Sequence, residues 1–117
     1  MSRGPRPRRT LPDALALARH RGMVQVAGRC PDRLYHFSIV SEIPVAFVQA
    51  KFCDRILAPL PEILRTFRDA ILELRSIVCH TAISRELWLR SRHGTWRFFR
   101  VTADSLLELG RDGKPVS

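Results

Sequence analysis

The chain has 117 residues, which suits one domain with a modest hydrophobic core. Its 20 lysines and arginines outnumber its 11 aspartates and glutamates, so the formal net charge is +9. An apolar fraction of 45% argues against disorder, and no apolar run approaches the length of a membrane helix. The charge excess predicts attraction to polyanions, with nucleic acid first, although an arginine-rich genome would give the same composition.

Cysteine usage and the N-terminus indicate a cellular location. Cys30, Cys53 and Cys79 are widely spaced and form no Cys-x-x-Cys pair, which predicts reduced thiols. Together with His36 and His80, they match no standard zinc-binding spacing. The N-terminal residues lack the apolar core of a signal peptide. We therefore expect a cytoplasmic protein without a membrane partner.

The first part of the chain predicts a basic arm followed by a helix. The arm holds four arginines without apolar periodicity, which is typical of a flexible tail that can contact phosphates. The helix is predicted over 11–21, with Thr10 as its N-cap and Gly22 as its stop. Arm, single domain and flexible tail are then expected over 1–10, 11–110 and 111–117.

The middle of the chain predicts three strands and a long helix. Residues 23–27, 34–40 and 43–52 are β-prone and separated by short turns, which favours an antiparallel meander. Residues 61–77 carry apolar side chains at helical spacing and predict the strongest helix of the chain. Its charged residues, Glu73 among them, are expected on an ordinary solvated face.

The last part predicts a hairpin over 86–101 with a two-residue turn at His93 and Gly94. In that register Trp88 would lie opposite Phe99. A terminal helical turn is expected at 103–109.

Arginines alternate with aromatic residues in this hairpin. Arginines can contact phosphates and aromatic rings can stack on exposed bases, so the pattern favours a nucleic-acid surface. The predicted nucleic-acid-binding residues are Arg85, Arg90, Arg92, Arg97 and Arg100. The alternative is a hairpin with core aromatics on one face and solvated arginines on the other.

The stretch from Val45 to Lys51 is an apolar strand that ends in two polar side chains. Residues two apart in a strand share a face, so Gln49 and Lys51 should point together. An ammonium group at the end of an apolar run needs a partner or a function.

Element order and this strand together resemble a known superfamily. The predicted fold is α/β (α+β), with an αβββαβ core in which helices flank a mixed central sheet. This order, together with Phe47-Val48-Gln49-Ala50-Lys51, resembles the PD-(D/E)XK, or restriction-endonuclease-like, nucleases. The motif looks like the Gln-x-Lys form of Mrr-type restriction endonucleases, relatives of the archaeal Holliday-junction resolvases. The resemblance covers residues 11–102.

The resemblance implies a phosphodiesterase site that this chain completes only in part. It implies Gln49 and Lys51 as catalytic residues and Mg²⁺ or Mn²⁺ as the cofactor. The family's aspartate on the second strand is replaced by His36, which suits Mn²⁺ better than Mg²⁺. The candidate metal ligands are therefore His36, Gln49 and Asp32, and Asp13 on the first helix could join them.

Three functions remain open at this point. The chain could bind nucleic acid, DNA in particular, on this fold without cleaving it. It could be an active metal-dependent DNA endonuclease that uses Gln49 and Lys51. It could instead be an oligomerisation or interaction module with Trp88, Trp96 and Phe98 at its interface, and a homodimer is compatible with each function.

Overall fold

A computed structural model describes residues 10–27, 34–41 and 44–116. The predicted arm lies outside these ranges except for Thr10, which begins the first helix instead of preceding it. The elements, in chain order, are α1 Thr10–Ala18, β1 Met23–Val26, β2 Phe37–Val40, β3 Val45–Phe52, α2 Leu60–Thr66, α3 Arg68–Arg75, β4 Ile83–Arg90, β5 Trp96–Val101 and β6 Leu106–Leu109.

The strands form one six-stranded sheet in the order β1-β2-β3-β4-β5-β6. Neighbours are antiparallel except β3 and β4, which run parallel from Val45↔Ile83 to Phe52↔Arg90. A parallel pair needs a crossover connection, and α2 and α3 supply it. The predicted α+β class, mixed sheet and flanking helices are thereby confirmed, whereas the restriction-endonuclease-like identity of the core stays a prediction.

Each face of the sheet carries its own hydrophobic core. On one face α1 packs through Ala14 and Ala18, whose small side chains let the helix approach Val48 and Trp88 closely. On the opposite face α2 and α3 pack on the alternate strand residues, such as Leu87. Because successive strand residues point to opposite faces, β4 is buried on both sides.

The predicted helix over 61–77 is two helices joined at Phe67, whose φ and ψ of −109° and 27° depart from helical values. Backbone hydrogen bonds continue through it, because its N–H donates to Ile63 and its carbonyl accepts from Ile71. The chain therefore bends, while its apolar face still covers the sheet as predicted. In the part of the chain described, no helix has both the length and the apolar character needed to cross a bilayer.

The helical turn expected at 103–109 is wrong, because this segment contains β6. Thr102 and Ser105 close a tight turn, in which the Ser105 N–H donates to Thr102 Oγ1 at 3.0 Å. The turn aligns β6 with β5, and Leu106 and Leu109 become buried. Leucine and glutamate favour a helix locally, but strand pairing outweighs that preference here.

Residues 111–116, expected as a flexible tail, turn back onto β6. The Val116 N–H donates to the Glu108 carbonyl at 3.0 Å, and Pro115 forms a bridge with Leu109. Gly113 has a φ of +81°, a conformation that glycine adopts readily, and it allows this reversal.

The predicted register of the β4–β5 hairpin is wrong by one residue. Ser91 and Thr95 close a three-residue loop, with Gly94 at a φ of +86°. Trp88 therefore pairs with Phe98 instead of Phe99. The shift places both rings in the α1 core, where they meet edge to face.

Candidate functional site

Gln49 and Lys51 occupy the same face of β3, as predicted, and this face looks toward α3. Gln49 is only 3% exposed, and its Nε2 donates to the Leu34 carbonyl at 2.8 Å and to Glu73 Oε1 at 3.1 Å. The pairing of β2 with β3 begins at Phe37↔Val48, so the end of β3 runs past β2. The side chain of Gln49 bridges the space that this overrun leaves.

Glu73 is exposed, as predicted for the solvated face of the helix, and it also brings a carboxylate to the end of β3. It lies in α3, 24 residues after Gln49 in the chain, and its side chain reaches over the end of β3. No local spacing signals this contact, because it depends on how α3 crosses the sheet.

Lys51 is half-buried at the same end of β3. Its ammonium group makes no hydrogen bond or ion pair with any residue in the described ranges. A cation without a protein partner can bind an incoming anion without first breaking a bond within the protein.

His36 makes a hydrogen bond with the backbone of the residue that follows Gln49. Its Nδ1 accepts a hydrogen bond from the Ala50 N–H at 2.9 Å. A neutral imidazole with an accepting Nδ1 carries its proton on Nε2, so neither nitrogen offers a lone pair to a metal in this arrangement.

Of the other two candidate metal ligands, the structure describes one, and it lies away from Gln49. Asp32 lies outside the described ranges. Asp13 lies on α1, on the opposite face of the sheet from Gln49, where it forms an ion pair with Arg90 at 3.1 Å. Among the residues that the structure describes, no group of three or more His, Cys, Asp or Glu side chains could hold a metal ion.

Two of the five predicted nucleic-acid-binding arginines bind protein groups on the face of the sheet that α3 covers. Arg85 is 6% exposed and donates to the carbonyls of Arg75 and Ile77 at the end of α3 and to Val101. Arg97 binds the Glu108 carboxylate with two hydrogen bonds, stacks on the Phe99 ring and donates to two carbonyls before α2. Glu108 raises the pKa of the Arg97 guanidinium against the opposing effect of burial.

The remaining three arginines are placed differently. Arg90 pairs with Asp13, and Arg100 donates to Ser84 Oγ at 3.1 Å, both on the α1 face. Arg92 is exposed in the hairpin loop. The five residues therefore form no common surface, because four of them bind protein groups on opposite faces of the sheet.

A shallow cleft of about 280 Å³ lies between α1 and the hairpin loop. Its lining includes Trp96, Arg90 and His20. Trp96 stacks on Phe98 with ring centroids 5.9 Å apart, which fixes the orientation of the indole. Aromatic and basic side chains thus meet at one place, although most of the arginines in this hairpin point elsewhere.

A buried polar cluster centred on Glu86 has no counterpart among the residues predicted from the sequence. This carboxylate is 0% exposed and accepts hydrogen bonds from Arg21, Ser84 Oγ and Trp88 Nε1. Burial raises its pKa, but the hydrogen bonds and charge of Arg21 outweigh burial and hold the pKa below its usual value. The only sequence signal was a glutamate inside an apolar strand, which indicates a required partner.

This cluster is a structural centre in which every strong donor and acceptor is paired. The end of β3 that carries Gln49 and Lys51, beside Glu73, differs, because the Lys51 cation has no partner among the described residues. No family model, curated protein or solved structure matches this chain.

Proposed function

We propose that this protein binds nucleic acid, DNA in particular, on a restriction-endonuclease-like scaffold that does not cleave it. The observation that carries this proposal is a set of basic side chains with no protein partner. Within the described ranges, the following make no side-chain hydrogen bond or ion pair: Arg19, Lys51, Arg65, Arg68, Arg92, Arg111 and Lys114.

These unpaired cations are what a polyanion can neutralise. The arginines that bind carboxylates or carbonyls would lose those bonds on turning to a phosphate, whereas the unpaired ones lose only water. Residues 1–9 add four arginines and no acidic residue immediately before α1. Binding therefore rests on Lys51, the exposed arginines and the arm, with Arg92 the member of the predicted set that remains available.

We propose that the protein does not cleave DNA because the side chains of the predicted motif already make hydrogen bonds within the protein. Gln49 uses its amide nitrogen to bind Leu34 and Glu73, and His36 uses Nδ1 to bind the backbone of β3. Among the described residues at this end of β3, that leaves the neutral Gln49 Oε1 and the Glu73 carboxylate as oxygen ligands, fewer than Mg²⁺ requires.

Fluorescence anisotropy with labelled duplex, branched and single-stranded DNA tests the proposal. We expect binding that weakens steeply with salt, as released counterions require, and that is indifferent to EDTA. Lys51→Ala should weaken it, whereas Arg55→Ala should change it little, because Arg55 already pairs with Glu62. Absence of salt-sensitive binding to every probe would refute the proposal.

An active endonuclease is the second candidate, and the contact between Gln49 and Glu73 favours it. Glu73 supplies a carboxylate beside the Gln-x-Lys strand. In that case the purified protein nicks supercoiled plasmid in Mg²⁺ or Mn²⁺, and both Lys51→Ala and Glu73→Gln abolish nicking. Glu62→Gln, on the neighbouring helix, is the matched control. Intact plasmid and branched DNA in both metals would exclude this candidate.

The subunit interface predicted for an interaction module is wrong. Trp88 and Phe98 are 1% and 4% exposed and belong to the α1 core, together with the partly buried Trp96. A subunit interface must therefore use another surface.

A further inference from the structure

The two edge strands of the sheet, β6 and β1, differ in whether another segment of the chain covers them. At one edge the C-terminal segment covers β6, with Val116 donating to Glu108 and Pro115 bridging Leu109. At the other edge β1 pairs with β2 alone, and no second strand among the described residues pairs with its outer side. An uncovered edge presents free backbone groups that another strand can bind.

The hydrogen-bond pattern identifies these outward groups. The Ala27 N–H donates to the His36 carbonyl across the β1–β2 pair at 2.9 Å. Bonding direction alternates along an antiparallel strand, so the N–H and C=O groups of Val24 and Val26 point away from β2. Both residues therefore offer a donor and an acceptor to an incoming strand.

The side chains around this edge are apolar and exposed. Met23 and Val26 in β1 are 66% and 58% exposed, and Val40 in β2 is 39% exposed. Met23 and Val40 lie on the face that α3 covers at β3, β4 and β5, whereas Val26 lies on the α1 face, so both faces of this edge carry an exposed apolar side chain. Natural edge strands are commonly protected by lysine, proline or a bulge, and Met-Val-Gln-Val contains neither residue.

Charge and symmetry indicate the occupant. Two copies of a chain with a net charge of +9 repel each other over most of their surfaces, and β1 offers a contact without a charged residue. An antiparallel pair centred on Gln25 places Val24 of one copy opposite Val26 of the other. In that register every outward donor meets an outward acceptor.

We propose that β1 pairs with β1 of a second copy about a two-fold axis at Gln25, so that the two sheets become continuous. The inference does not rest on nucleic-acid binding. The contact is isologous, because the same strand serves both copies. The assembly also closes, since pairing consumes the only β1 edge of each copy.

Sedimentation velocity of the full chain, over micromolar to submillimolar concentrations, tests the dimer. Val26→Pro removes an outward N–H that β2 does not use, at an edge position where proline is tolerated. We expect the dissociation constant to rise about tenfold to hundredfold, because the two-fold axis repeats the loss in both copies. Leu107→Gln, an exposed position on the covered edge strand, is the control and should leave the dimer intact.

A charge exchange tests the register itself. Gln25→Lys and Gln25→Glu each place like charges opposite one another at the axis, so each variant alone should be monomeric. A mixture of the two should form a heterodimer, which native mass spectrometry resolves. Because Gln25 is exposed, both variants should keep the circular dichroism spectrum of the native chain. A native chain that stays monomeric, or a dimer indifferent to Val26→Pro and Gln25→Lys, overturns the proposal.

Discussion

Arg21 donates two hydrogen bonds to the Glu86 carboxylate, at 2.8 and 3.1 Å, across 65 residues of sequence. The guanidinium follows α1, and the carboxylate lies in the middle of β4. Their pairing therefore ties the end of the first helix to the most buried strand of the sheet. Trp88 and Ser84 donate to the same carboxylate, so hydrogen bonds from protein groups replace the water that this buried charge has lost.

Removing Arg21 should destabilise the fold strongly. Arg21→Ala leaves the fully buried Glu86 without its counter-charge, and such losses cost about 3–5 kcal/mol. Urea unfolding followed by circular dichroism measures the change. Arg55→Ala is the control, because Arg55 is 70% exposed and its pair with Glu62 should contribute less than about 1 kcal/mol. Equal losses in the two variants would contradict this account of the cluster.

The same carboxylate should make stability depend on pH. Burial raises the pKa of Glu86, but the hydrogen bonds and charge of Arg21 outweigh it and leave the pKa below the ordinary value of 4.5. A depressed pKa in the folded state gives stability that is present above pH 4.5 and lost as pH falls through the folded pKa.

Glu86→Gln removes this titration. The variant should be less stable at neutral pH, because its amide N–H₂ faces the donors of Arg21 and Trp88. The gap between native chain and variant should narrow as pH falls below 4.5. Urea midpoints at a series of pH values measure the gap, and parallel curves would show that Glu86 is not the titrating group.

Gly113 should be intolerant of a side chain for two independent reasons. Its φ is +81°, and an added Cβ would lie 2.5 Å from Arg21 Nη2. Gly113→Ala should therefore cost about 1–3 kcal/mol through backbone strain and should also disturb the Arg21–Glu86 pair. Gly110→Ala is the control, since its nearest neighbour is the Asp112 side chain at 3.2 Å. Thermal unfolding compares the two, and similar melting temperatures would refute the argument.

Substitution of an interior arginine should lower stability, whereas substitution of an exposed arginine should weaken nucleic-acid binding. Arg97→Lys loses the planar fork that binds Glu108 and should unfold at lower urea. Arg92→Ala should leave stability unchanged but reduce the slope of log affinity against log salt by about one. Anisotropy titrations and urea unfolding on both variants check this division. If the salt slope fell for Arg97→Lys but not for Arg92→Ala, the assignment of Arg97 to stability and of Arg92 to nucleic-acid binding would be wrong.

The sequence predicts the elements whose signals are local. Alternation in β3 correctly places Gln49 and Lys51 on one face, and the apolar spacing after Pro61 correctly identifies the face of α2 and α3 that packs on the sheet. These properties depend on residues within one or two turns of each other, which is the range that periodicity reports.

Long-range contacts could not be predicted in this way. Glu73 reaches Gln49 only because α3 crosses above β3, and Glu86 is neutralised by an arginine 65 residues away. The arginines of the hairpin look like a binding surface in sequence, yet Arg85 and Arg97 reach carbonyls that only the folded loops present. β6 was missed because its leucines favour a helix until β5 lies beside them.

The two cysteines that the structure describes should react at very different rates. Cys79 is exposed, whereas Cys53 is 5% exposed and burial raises the pKa of its thiol. In a Cys30→Ser background, a thiol reagent should label Cys79 quickly and Cys53 only after local opening. Mass spectrometry of the labelled peptides measures both rates.

Cys53 also reports on the candidate site, because it follows Lys51 by two residues and its N–H is bonded to the Arg90 carbonyl at 2.9 Å. A DNA phosphate bound to Lys51 should hold the end of β3 in place and slow the labelling of Cys53, while Cys79 serves as the internal control. Lys51→Ala should remove this protection. Equal slowing of both cysteines would instead indicate general shielding by bound DNA and would contradict a contact at Lys51.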